Sequence, residues 1–196
     1  MDQGAFVIYV VGGFMRSGTS MMMCCLEAGG LEAVYNAKRD KAGGERWSDD
    51  DYHPNEGGFY ELTVEEYRAP GFAERCEGKA VKLLRRGPLR MPEGHQCRAA
   101  IMRRDSEEIR QSAQAIFSAS LPRRYGDDAN RMIDGVVAEL ETRPNWDVQE
   151  VRYRDVVEQP LQTFESLDWP IDPAAAASVV APSLCRYRRE ELHVGV

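Results

Sequence analysis

The residues with the clearest chemical meaning sit in one short stretch. Gly13 and Gly18 enclose Phe14, Met15, Arg16 and Ser17, and Thr19 and Ser20 follow. Glycines let the backbone curl so that several N–H groups converge on one anion, and a helix starting there adds its positive end. Thr19 and Ser20 can add hydroxyl donors, and Arg16 a forked, charge-assisted contact. The glycine spacing is that of a P-loop. A nucleoside triphosphatase, however, carries Lys at the position of Thr19, followed by Ser or Thr. Here the positive charge comes earlier, at Arg16. Ser20 keeps the hydroxyl that would reach magnesium, and Arg104-Asp105 is the nearest candidate for the acidic strand end such an enzyme needs.

A second pair with anion chemistry is Arg104 and Ser112. The interval puts a guanidinium at a strand's C-terminal edge and a hydroxyl about two turns into the next helix. Ligands of parallel α/β sheets bind at that edge. The competing reading is a surface salt bridge of Arg104 with Glu108, and a surface position for Ser112.

These residues need a scaffold, and the pattern supplies one. Ala5 to Val11 is a continuous apolar, β-branched run ending in Gly12-Gly13, which reads as a buried parallel strand. A helix runs from Gly18 until Gly29-Gly30 stops it. Residues 36–58 are polar and read as a long exposed insertion. Thr63–Tyr67 begins a short helix, and Lys79–Leu84 and Arg98–Met102 read as strands. Ser106–Ser118 is a helix with Ile109, Ala113, Ile116 and Phe117 on one face and Ser106 as N-cap. Asp127–Glu141 is a helix, Asp147–Tyr153 a strand, and Pro160–Leu167 and Pro173–Val180 are helices. Alternating strands and helices imply an α/β fold: one three-layer, P-loop NTPase-like domain over residues 1–196, with a mainly parallel central sheet.

Composition narrows the classes. The chain has 196 residues, 43% of them hydrophobic, enough for a core. A formal net charge of −7 argues against general nucleic-acid binding, while leaving a local anion site open. No apolar run approaches the ~20 residues of a membrane span, and a cytoplasmic protein is expected. Cys24, Cys25, Cys76, Cys97 and Cys185 have neither metal-site nor disulfide spacing, so reduced thiols and no metal are expected.

The loop from Phe14 to Ser20 resembles that of the sulfotransferases, often written Pro-Lys/Arg-Ser-Gly-Thr-Thr/Ser, with Met15 where proline is common. The resemblance implies that Arg16, Ser17, Gly18, Thr19 and Ser20 hold the 5′-phosphosulfate of 3′-phosphoadenosine 5′-phosphosulfate (PAPS). Arg104 and Ser112 are similar to the family's pair for the 3′-phosphate. Val151–Pro160 resembles the stretch whose tyrosine, here Tyr153, lies near the adenine; Tyr153 equally suits a core position. Pro182–Arg188 looks like the C-terminal segment of bacterial relatives, so Arg186 and Arg188 are candidates to close over the donor. Asn55–Glu61 resembles a segment of carbohydrate-type relatives and nominates Glu61 as base, with Glu56 and His53 in reserve and a structural salt bridge as the alternative. Lys82 stands at the lysine that steadies the bridging oxygen, although no histidine follows it as in many cytosolic members. The implied activity is sulfuryl transfer from PAPS, leaving adenosine 3′,5′-bisphosphate (PAP), to a hydroxyl or amine of a small-molecule or glycan acceptor, without metal, membrane or nucleic acid. The alternatives are a P-loop kinase or NTPase with a variant loop, and a non-catalytic nucleotide-binding protein.

Overall fold

The computed structural model describes residues 7–47, 58–117 and 120–181. At its centre lie β1 (Val7–Gly13), β2 (Ala33–Val34), β3 (Ala80–Leu84), β4 (Gln96–Arg103) and β5 (Trp146–Arg152), in the order β2-β3-β1-β4-β5. Every pairing is parallel. In the central strand β1, Val11 is in register with Lys82 on one side and Ala100 on the other.

Both sides of β1 are buried, which explains its unbroken apolar run. Ile8 and Val10 join Val81, Leu83, Ala99 and Ile101 on one face, whereas Tyr9 and Val11 join Ala100 and Met102 on the other. The first face is covered by α3 (Val64–Arg68), α4 (Phe72–Cys76), α5 (Ser106–Phe117) and α6 (Tyr125–Leu140). The second is covered by α1 (Thr19–Ala28), α7 (Tyr153–Glu158), α8 (Pro160–Ser166) and α9 (Pro173–Ser178). Ile8, Val10, Met22 and Phe164 are fully or almost fully buried. Each such side chain contributes about 1.5–3 kcal/mol of transfer free energy. The fold is therefore α/β, a P-loop-like three-layer arrangement with helices on both faces of a parallel sheet.

The connectivity also places a ligand crevice. The chain leaves β1 toward β2 at one edge of the sheet and leaves β4 toward β5 at the other. The gap between the C-terminal ends of β1 and β4 is thus a topological switch point, where such sheets bind ligands.

Several local expectations are corrected. The expected insertion at 36–58 begins as a helix, α2 (Ala37–Trp47), because Asn36 Oδ1 accepts from Arg39 N–H at 3.0 Å and caps it. Residues 48–57, with His53 and Glu56, lie outside the described residues, as do Arg186 and Arg188. Helix α5 is capped by Asp105, not Ser106: Asp105 Oδ1 accepts from the N–H groups of Glu107 (2.9 Å) and Glu108 (3.3 Å). Phe117 is exposed rather than on the core face. Tyr153 opens α7 instead of ending β5. Among the described residues, no helix is long and apolar enough to cross a membrane. Cys24, Cys25, Cys76 and Cys97 are free, and burial pushes the thiols of the last three up to about 12.

Candidate active site

The loop between β1 and α1 is held by its own atoms. Ser17 turns back on Phe14, donating to its carbonyl from the backbone N–H (3.2 Å) and from Oγ (2.7 Å). Gly18 is left-handed, with φ 98°. A Cβ there would run into the ring of Tyr153, so position 18 must be glycine both for its backbone angle and for space. The first α1 hydrogen bond is Met22 N–H to the Gly18 carbonyl. The N–H groups of Thr19, Ser20 and Met21 consequently have no acceptor within the helix, the arrangement that suits a helix start to an anion.

On the β4 side, Arg16 and Ser112 meet directly: Arg16 Nε donates to Ser112 Oγ at 3.0 Å. Arg16 takes a left-handed φ of 70°, uncommon for a residue other than glycine and a sign that its setting is specified by its surroundings. Ser112 is buried, not on the helix surface. Arg104 closes the same corner. Its Nη1 donates to the Arg16 carbonyl at 3.1 Å, and its guanidinium lies 4.1 Å from the centroid of the Tyr153 ring. The expected pair with Glu108 forms, Nε to Oε2 at 2.9 Å, but both side chains are only 6% exposed, so it is no surface bridge. Asn130 Nδ2 fixes the local backbone, donating to the Arg104 carbonyl (3.1 Å) and to Ser106 Oγ (3.0 Å). A cavity of about 450 Å³ opens here, lined by Arg104, Glu108, Asn130, Arg152, Tyr153 and Arg154 among others. Tyr153 is thus both core residue and cavity wall.

On the β3 side, Lys82 is 3% exposed. Its Nζ donates to Ser20 Oγ (3.2 Å) and to the Phe59 carbonyl, and it lies 3.9 Å from Glu61 Oε1. Burial pushes the ammonium down to about 8; Glu61 and Asp40 oppose that shift, and Arg16 adds to it. Glu61 is 33% exposed and also accepts from Arg39 Nη2 at 3.2 Å. The nominated base and its salt-bridge alternative are therefore the same residue in the same place.

Asp40 escaped the sequence reading. Its carboxylate accepts from Phe59 N–H at 2.9 Å and from Glu61 N–H at 3.2 Å, one oxygen for each. It clamps the segment that supplies both the carbonyl and the carboxylate facing Lys82. The only sequence signal was an aspartate in the first turn of an unpredicted helix. Tyr60, between the clamped residues, is left-handed at φ 54° and donates from its hydroxyl to Glu27 Oε2 at 2.7 Å. Among the described residues, no group of three His, Cys, Asp or Glu could hold a metal ion.

No protein-family model matches the chain, and no curated protein matches it. Among solved structures, one similar chain is a sugar kinase from Janibacter sp. HTCC2649, crystallised without ligand. It is 16% identical, with a TM-score of 0.39 over 91% of this chain and 98% of that one. A likeness of that size carries no argument about activity.

Proposed function

We propose that this chain is a sulfotransferase that uses PAPS as donor. The observation that carries the reading is the Arg16–Ser112 hydrogen bond. It joins the β1 loop to helix α5 and so brings the two candidate anion-binding groups side by side, with the cavity lined by Arg104 and Tyr153 opening at the Arg104 end. Such a site suits a ligand with anionic groups at two positions. The loop N–H groups, Arg16, Ser17, Gly18, Thr19 and Ser20 would take the 5′-phosphosulfate. Arg104 and Ser112 would take the 3′-phosphate, with Tyr153 beside the nucleoside.

In this mechanism Glu61 removes the proton of the acceptor hydroxyl or amine. The acceptor atom attacks sulfur, a new bond to sulfur forms, and the bond between sulfur and the bridging oxygen breaks. Charge collects on the 5′-phosphate of PAP. The N–H groups of the loop and the ammonium of Lys82 stabilise it there, in a site that burial keeps at low dielectric. With a value near 8, Lys82 is charged at neutral pH yet able to give up a proton. A kinase would want magnesium beside the Ser20 hydroxyl; that position faces Lys82, 3.2 Å away, which favours the metal-free reading.

Thermal melting with PAP or with ATP and magnesium tests this. PAP without magnesium at 100 times its Kd should add about 2.7 kcal/mol, or roughly 5–10 °C for a chain of this size. Stabilisation by ATP and magnesium alone would overturn the reading.

A further inference from the structure

The β4 corner holds one carboxylate between two guanidinium groups. Glu108 Oε2 accepts from Arg104 Nε at 2.9 Å, and its other oxygen lies 4.0 Å from Arg154 Nη2. All three residues line the cavity. Of the other charges around the cavity, Arg103 bridges Asp134 (2.7 Å) and Glu150, Asp105 caps α5, Arg154 also reaches Glu158 at 3.7 Å, and Arg152 adds a further guanidinium to the lining. An i,i+4 pair on an open helix surface would be worth a few tenths of a kcal/mol. This one is buried, so removing either partner leaves the other a poorly compensated charge at low dielectric.

We propose that Glu108 is a resident stand-in for a ligand phosphate or sulfate: it holds Arg104 and Arg154 in place while the cavity is empty and competes with an anion that enters it. The inference rests on the donor-site reading above and adds a regulator to it. An incoming tetrahedral anion seeks the same guanidinium N–H groups that Glu108 uses, and it arrives beside a like charge that the buried setting does not screen. Glu108 therefore preorganises the corner but weakens the grip on any ligand anion. In a transferase that must release a bisphosphate product, such a residue sets the release rate, because affinity changes appear mostly in dissociation.

Two measurements on the full chain test this, each on wild type, Glu108→Gln and Glu108→Asp. The first is melting in sodium sulfate against sodium chloride of matched ionic strength. Glu108→Gln should melt below wild type in chloride and gain more from sulfate than wild type, which gains only the general stabilisation sulfate gives a folded chain. Glu108→Asp, which keeps the charge but draws it back, should fall between, and it provides the reading if Glu108→Gln folds poorly. Equal sulfate shifts in all three proteins overturn the proposal. The second is calorimetric titration with PAP and with adenosine 5′-phosphate, which lacks the 3′-phosphate. Glu108→Gln should bind PAP roughly tenfold more tightly or better, as expected for relief of a like-charge contact, with the 5′-phosphate ligand unchanged. Equal or weaker PAP binding in the variant overturns it. If sulfate rescues Glu108→Gln but no protein binds PAP, the stand-in role holds and the donor reading fails. If all bind PAP alike and sulfate rescues none, the donor reading holds and the stand-in role fails.

Discussion

On the β4 flank of the loop, the buried Arg104 meets a full carboxylate, a backbone carbonyl and an aromatic face. On the β3 flank, the equally buried Lys82 meets a hydroxyl and a carbonyl at close range, with its nearest carboxylate at 3.9 Å. Guanidinium does not give up its proton in proteins, so the β4 flank is fixed in charge and suited to holding an anion. Burial pushes the Lys82 ammonium toward losing its proton, against the pull of Glu61 and Asp40, so the charge on the β3 flank is not fixed in the same way. The same loop borders both, so on the proposed reading grip and chemistry fall on opposite flanks of it.

The comparison breaks most visibly at Arg104. Arg104→Ala should cost stability, up to about 3–5 kcal/mol, because it leaves the buried Glu108 with the more distant Arg154 as counter-charge, and chemical denaturation reads that directly. An unchanged midpoint would mean that the corner is solvated and the two flanks are not different in kind. Lys82→Met should lower the rate of donor turnover by about 10²–10³, the usual cost of one transition-state donor, and should weaken PAP binding by a smaller factor. Equal losses in binding and turnover would erase the division between the flanks.

Asp40→Asn keeps the size but can satisfy only one of the two N–H groups it now clamps. Turnover should fall by about tenfold, near the value of one charged hydrogen bond. The readout specific to positioning is Lys82 itself. Asp40 favours the charged ammonium, so the variant should move the Lys82 titration further down. The chain has only four lysines, 38, 41, 79 and 82, so a Cε-labelled lysine spectrum can follow it. A titration that does not move would make Asp40 a fold residue only.

The smallest effect is a pH slope. Lys82 has a folded value near 8 against an ordinary 10.5. Between those values the unfolded chain binds the proton and the folded one does not, so stability should rise with pH across that window. Below pH 8 both states are protonated and the burial cost is fully present. Lys82→Met should flatten that part of the curve, as measured by denaturant midpoints at stepped pH.

Legibility in the sequence followed the range of the interactions. The strand–loop–helix unit at β1 was readable because hydrophobic run, glycines and helix lie side by side. Arg104 and Ser112 were readable as a spacing across one strand end and one helix. The Arg16–Ser112 bond was not, because it spans most of the sheet's connectivity and depends on how β1 and β4 neighbour each other. Asp40's clamp on Phe59 and Glu61 was hidden for the same reason. Some near misses were local: Asp105 and Ser106 are both good caps, and only the backbone decides which is used. Strand β2 has two residues, too short for any periodicity, and α4 follows Gly71 with one turn and a half of pattern. Tyr153 continues the β-prone run of β5, yet packing beneath Gly18 places it in a helix.

That contact between Gly18 and Tyr153 bears on the order of assembly. The loop leaves the ribosome well before the ring that confines it, because that ring belongs to the helix that follows β5. A nascent chain can close β1 against β3 and β4 long before the tyrosine exists. The loop's final shape is thus postponed until β5 and the helix after it have docked.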